Sequence, residues 1–148
     1  MRMKSLSFWA ALLPFAVAPA LAASVSTCDS YIANAAFLAF PTAENTAEFA
    51  DGRVRLITLD TAGEPACCSF HLMVLYPSED GSYSECALIS GSADLGYFSI
   101  FVGNATVLRN DAEGMSLIVP TESNVDGTAV AAEMQLDIDF SAGTLSAK

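Results

Sequence analysis

Apolar and polar residues alternate most cleanly in EMQLDIDF, residues 133–140. Met134, Leu136, Ile138 and Phe140 fall on one side of an extended chain, and Glu133, Gln135, Asp137 and Asp139 on the other. Strand side chains point alternately to opposite faces, so this period of two predicts a strand with one face in a core and one in water. The expected strands are RVRLITLD (53–60), CSFHLMVLY (68–76), CALIS (86–90), GYFSIFV (96–102), ATVLR (105–109), MSLIVP (115–120) and VAAEMQLDIDF (130–140), with TLSA (144–147) as a short addition. They are rich in β-branched and aromatic residues and are separated by Gly, Asp, Asn and Pro, the pattern of an antiparallel sheet. FHLMVLY differs from the rest because Phe70, Leu72, Val74 and Tyr76 face one way while Met73 and Leu75 face the other. A strand apolar on both faces must be covered on both, so this one is expected deep in the sheet.

Upstream the period changes. Ser26 and Thr27 are capping candidates ahead of Asp29, and Tyr31, Ile32, Ala35, Ala36, Leu38 and Ala39 recur at helical spacing. That predicts an amphipathic helix over about 29–39 that ends before Pro41. Residues 41–52 are polar and turn-rich and read as a connector. The expected fold is mainly β, or α+β by count: one N-terminal helix packed on a small antiparallel barrel or sandwich of about seven strands, stapled by disulfides.

The first 22 residues place Arg2 and Lys4 before an apolar run over residues 6–17 and end in Ala20-Leu21-Ala22. This is the pattern of a secretory signal peptide cleaved after Ala22, leaving a single β-rich domain over 23–148. The run is too short to span a bilayer, and no other apolar run of about 18 residues follows, so the expectation is a soluble product, periplasmic or extracellular.

Loss of that leader leaves Arg53, Arg55, Arg109 and Lys148 against 17 acidic residues, a net charge of −13. Such a surface repels phosphate backbones and anionic headgroups, which excludes nucleic-acid binding and membrane-surface roles. It suits solubility and a basic protein partner.

Four cysteines, Cys28, Cys67, Cys68 and Cys86, in an exported chain predict disulfides. Bonding Cys67 to its neighbour Cys68 closes a tight ring, so the expected pairings are Cys28–Cys67 with Cys68–Cys86, or Cys28–Cys68 with Cys67–Cys86. Either requires the hairpin before Cys86 to turn early, at residues 76–79, or the Cys86 strand to have a different neighbour. A turn at 79–82 would set Cys86 opposite Met73 or Val74, roughly 17 to 20 Å from the pair. His71, the one histidine, stands close to these cysteines in sequence. On a strand Cys68 and His71 face opposite ways and Cys67 is roughly 13 Å off, so a shared metal ion is not expected.

ESNVDGTAVAAE, residues 122–133, matches the spacing of a calcium loop, with Glu122, Asn124 and Asp126 at the first three ligand positions, Gly127 at the sharp turn and Glu133 at the twelfth. Calcium is the one cofactor the sequence suggests, although the flanks look like strands where that motif has helices. Asp60-Thr61-Ala62-Gly63 matches a nucleotide-switch spacing but lacks any accompanying phosphate loop. No nucleophile elbow or triad spacing occurs, and strand alternation already accounts for Asp137 and Asp139. The leading expectation is a small non-enzymatic protein that acts by binding, with an inhibitor of a basic hydrolase as one form. A calcium-stabilised module, a barrel holding a small ligand among Phe70, Tyr76, Tyr97 and Phe101, and, last, a hydrolase using acidic residues are the alternatives.

Overall fold

The computed structural model describes residues 23–62, 67–93 and 95–148; the leader assigned from sequence lies outside them. Two antiparallel sheets of five strands face each other. The first runs, in spatial order, β1 (Ser24–Thr27), β5 (Ser84–Ser90), β4 (Phe70–Pro77), β3 (Val54–Asp60) and β2 (Thr46–Phe49). The second runs β10 (Thr144–Ala147), β9 (Thr128–Asp139), β8 (Gly114–Val125) and β6 (Ser99–Ile100), with β7 (Thr106–Asn110) also paired to β8. Leu56, Leu72, Val74 and Ile89 of one sheet and Met115, Leu117, Val119, Leu136 and Ile138 of the other are almost wholly buried. They belong to one core, filled from both sides.

The alternation in residues 133–140 holds residue for residue on β9, where Met134, Leu136 and Ile138 are buried and Asp139 is exposed. The doubly apolar β4 is the central strand of the first sheet. A closed barrel does not form. The sheets remain separate ladders that touch at a corner, where an isolated bridge pairs Phe70 with Tyr97. The run expected over 96–102 contributes only the two residues of β6, which is too little strand to carry hydrogen bonding from one sheet to the other. At that corner the Gly96 N–H donates to the Cys68 carbonyl at 2.8 Å. A Cβ on Gly96 would sit 2.7 Å from that oxygen and closer still to the Phe70 carbonyl, so the approach admits only glycine.

The expected N-terminal helix is also absent, and no α-helix occurs among the described residues. Residues 24–27 form an edge strand instead, and the chain then runs as a strap through a 3-10 turn, Ala35–Phe37, to Leu38, which bridges Leu59 beside β3. Geometry explains the correction. The strap leaves β1 at one edge of the sheet and arrives at the other edge, four strand spacings or roughly 19 Å away. Ten helical residues span only about 15 Å, so the link must be more extended than a helix. Of the apolar residues whose spacing looked helical, Ile32 and Leu38 are half-buried and Ala39 is buried, while Tyr31, Ala35 and Ala36 stay exposed; on the outward face of the sheet Leu59, bridged by Leu38, and Leu88 are 0% and 2% exposed. Thr46–Phe49, inside the expected connector, forms the other edge strand, short and half polar.

The disulfides differ from both expected pairings. Cys28 bonds Cys86, and Cys67 bonds Cys68. The β4–β5 hairpin turns late, with Pro77 opposite Ser84 and Leu75 opposite Cys86. Seven strand residues, roughly 23 Å, therefore part Cys86 from Cys68. The β1–β5 register, which pairs Thr27 with Ala87, brings Cys28 alongside Cys86 with Cα atoms 5.7 Å apart. Left without distant partners, the two neighbours pair with each other.

Two outcomes test this architecture. Gly96→Ala should lower stability by about 1 to 3 kcal/mol, read as a lower urea midpoint at unchanged slope. Cys28→Ser combined with Cys86→Ser should cost about 4 kcal/mol, because that bond closes a loop with a sequence separation of 58.

Candidate functional site

Four turns gather at one end of the sandwich: residues 50–53 between β2 and β3, 78–83 between β4 and β5, 111–113 between β7 and β8, and 140–143 between β9 and β10. Arg53, Ser78, Asp80, Tyr83, Ala112 and Phe140, drawn from all four, line one shallow depression of about 480 Å³. Gly143, at φ +59°, lies against the backbone of Ser78 and Glu79, which locks the 140–143 turn of one sheet to the hairpin of the other. The turns thus form a continuous surface on a rigid support.

Aspartates cap three of these turns. Asp80 accepts from the Ser78 hydroxyl (2.9 Å), the Ser82 hydroxyl (2.6 Å) and the Ser82 amide (2.9 Å). The Ser82 hydroxyl above all holds its carboxyl down at about 2, so it is ionised throughout the ordinary pH range. Asp139 accepts from the Ser141 hydroxyl (2.6 Å) and from the amides of Ser141 (2.8 Å) and Ala142 (3.0 Å), and these bonds, the hydroxyl's first, lower its pKa too. Asp111 accepts the amides of Glu113 and Gly114 at 3.0 and 2.9 Å. Asp51, Glu79 and Glu113 stand exposed among them.

The nearby cations are already engaged. The Arg53 guanidinium lies 4.6 Å over the Phe140 ring and donates to the Ala50 carbonyl at 3.1 Å. Arg109 faces Asp111 at 3.7 Å, and Arg55 faces Glu48 at 3.5 Å. Tyr83 is 61% exposed in the 78–83 turn, beside Glu79 and Asp80, and its bond to Glu85 raises its hydroxyl pKa. An exposed aromatic ring with carboxylates beside it is a complementary surface for lysine and arginine side chains.

The aromatics expected to line a ligand cavity separate into two groups. Tyr76 and Tyr97 are buried in the core, and burial pushes the Tyr97 hydroxyl up to about 12. Phe70 and Phe101 line an open groove of about 530 Å³ at the side of the sandwich, together with Phe40, which is 82% exposed, and Glu44, Asn45 and Asn104.

Residues 122–133 do not form a calcium-type loop. They are the distal half of the β8–β9 hairpin, closed by the two-residue turn Asp126-Gly127 with φ of 51° and 81°, values that a tight hairpin of this hand requires. Glu122 pairs with Ala131, Asn124 with Ala129 and Glu133 with Pro120, which strings three of the four candidate ligands along two strands and leaves Asp126 at the turn. Among the described residues no group of three or more His, Cys, Asp or Glu side chains is arranged to hold a metal ion. Asp137 accepts from the Ser116 hydroxyl at 2.6 Å and meets the Lys148 ammonium at 3.3 Å, and its pKa is lowered, by Ser116 first.

Cys67 and Cys68 bond each other, and Cys68 is buried beside Gly96. His71 is 2% exposed on the outward face of β4, where its Nδ1 shares a 2.8 Å hydrogen bond with the Ser90 hydroxyl on the neighbouring strand. Burial lowers its pKa, with Asp60 opposing. The sequence missed the loop surface because its members lie up to 90 residues apart; the available signal was the recurrence of Asp within each turn, as in SEDGS and NDAEG.

His71 generates a pH test. The unfolded chain takes up a proton near 6.5, the ordinary histidine value, and the folded chain only at a lower pH. Its contribution is therefore fully present above 6.5 and is lost as pH falls from there toward the folded value. The melting temperature should decline as pH falls below about 6.5, before the depressed carboxylates titrate, and His71→Gln should flatten that part of the curve.

No helix among the described residues is long and apolar enough to cross a membrane. No protein-family model, no curated protein and no solved structure matches this chain.

Proposed function

We propose that this is a small exported protein that acts by binding and performs no chemistry, and that its loop end receives a basic protein partner. One observation supports the reading: four turns from both sheets meet at one end of the sandwich and carry Asp51, Glu79, Asp80, Asp111 and Glu113, with Asp139 adjoining, while the exposed Tyr83 shares a depression with Glu79 and Asp80, and Arg53 and Arg109 are held by Phe140 and Asp111. Attraction across such a surface raises the association rate and selects partners by charge. Because the carboxylates sit on capped turns of a rigid sandwich, little ordering entropy opposes binding. Inhibition of a basic hydrolase is the concrete form, with the acidic turns covering a cationic active-site rim.

The experiment uses a basic lysozyme as the probe, with calorimetric titration at low and at physiological salt. Binding is expected at about 20 mM salt and should weaken about tenfold by 150 mM, as screening shortens the reach of the charges. Combining Asp51→Asn, Glu79→Gln and Glu113→Gln, none of which removes a turn cap, should reduce affinity at least as much without shifting the melting temperature. Glu133→Gln, at the far end, should change nothing. Equal affinity of the triple variant and the parent protein, or no binding of this or any other basic protein at low salt, would remove the reading.

A further inference from the structure

The β8–β9 hairpin runs well past the core. Its last buried residues are Thr121 and Met134, and from Val125 through Glu133 the chain is exposed on both faces. On one side β9 pairs with β8 over its whole length, with no shift of register. On the other side β10 pairs only with residues 136–139, and beyond it Gln135 and Lys148 exchange N–H···O bonds of 2.8 and 3.0 Å. No strand among the described residues lies against that edge from Thr128 to Met134.

The direction of the unpaired groups follows from the ladder. Residues of a strand alternate in the side to which they turn their N–H and C=O. Gln135 turns both toward the β10 side, and the Phe140 N–H reaches the Glu113 carbonyl on the β8 side. Odd-numbered residues of β9 therefore face the open edge, so Ala129, Ala131 and Glu133 present three donors and three acceptors outward. Natural edges are usually blunted by lysine, proline or a bulge. Residues 128–132, Thr-Ala-Val-Ala-Ala, carry none of these, and in an otherwise acidic chain they carry no charge.

We propose that this edge pairs with the same edge of a second copy of the chain, antiparallel about a two-fold axis at Ala131. That register sets Ala131 against Ala131 and Ala129 against Glu133, and it satisfies all six outward groups of each copy with six hydrogen bonds. The centres at Ala129 and Glu133 fail: the first leaves Glu133 unpaired, and the second sets glutamate against glutamate and runs into Lys148. With Ala131 at the centre Val130 packs against Ala132 of the second copy, and no like charges stand opposite each other. The turn carrying Asp126 then arrives beside Lys148, whose ammonium already meets Asp137 at 3.3 Å, so the register rests on the backbone pairing and not on charge. A seven-residue edge, about 23 Å long, makes a small interface and a weak dimer, with dissociation constants in the micromolar range. It lies at the end opposite the acidic turns and does not depend on them.

Sedimentation over about 10 to 200 µM, where a small interface is readable, should show a monomer–dimer equilibrium that strengthens with salt as repulsion between two acidic chains is screened. Binding of a basic partner weakens with salt, so the two readings fail separately. Ala131→Pro removes an outward N–H and leaves the β8 ladder intact. It should raise the dimer dissociation constant about tenfold or more at unchanged melting temperature. Ala131→Cys should cross-link under mild oxidation, since paired Cα atoms across the axis lie about 5.5 Å apart. Thr128→Cys, on the same exposed arm but roughly 20 Å from its symmetry mate, should not. A protein monomeric throughout, including one whose edge takes a strand from a different protein, would overturn the proposal. So would a dimer indifferent to Ala131→Pro, or equal cross-linking at the two positions.

Discussion

Strand β4 has apolar side chains on both faces, and the rest of the molecule is arranged so that each face is covered. Leu72 and Val74 meet the second sheet. On the reverse side, the sheet containing His71, Leu59 and Leu88 is covered by the strap that follows β1, and all three residues end almost completely buried. The strap must run from one edge of the sheet to the other to do this, which sets its extended form, and within it Ile32 and Leu38 are half-buried and Ala39 is buried. Fastening it at Cys28–Cys86 on one edge and at the Leu38–Leu59 bridge on the other holds the strap at both ends.

Because the two sheets are joined by burial and not by a continuous ladder, their ends remain open, and the turns at those ends are free to carry function. At one end, acidic residues serve twice: Asp80 and Asp139 accept turn amides and also supply surface charge. Capping lowers the pKa of Asp80 and Asp139, so fold and charge are coupled there. At the other end the β8–β9 hairpin leaves the core, and its edge has backbone groups to offer and almost no charge to defend it. The two ends are therefore suited to different kinds of partner.

Much of the sheet structure was legible in the sequence. The runs at 53–60, 68–76, 86–90, 105–109, 115–120 and 130–140 correspond to β3, β4, β5, β7, β8 and β9, because period-two alternation reports directly on which side chains are buried. What it could not report is where a strand stops being half buried. β8 and β9 extend to the tip through residues 122–129, where polar and small residues gave no alternation, and the same stretch imitated a calcium loop. β1 and β2 were missed for a related reason: as short edge strands, SVST and TAEF bury little. The helix reading failed because the apolar spacing of Tyr31, Ile32, Ala35 and Leu38 did not mark one buried stripe, since Tyr31 and Ala35 end exposed, and because the chain has to stretch from one edge of the sheet to the other.

Local pattern by itself determined that this chain would be a β-rich domain with a doubly covered central strand, an acidic surface, and cysteines available for disulfides. Each of these depends on residue type and on neighbours one or two positions away. Only the tertiary structure decided the disulfide partners, since a register set by the length of the β4–β5 turn moved Cys86 away from Cys68 and beside Cys28. It alone brought four separate turns into one surface and left the β9 edge without a strand beside it. Those outcomes depend on how sheets stack and where neighbouring strands end, distances through space that no short window of sequence encodes.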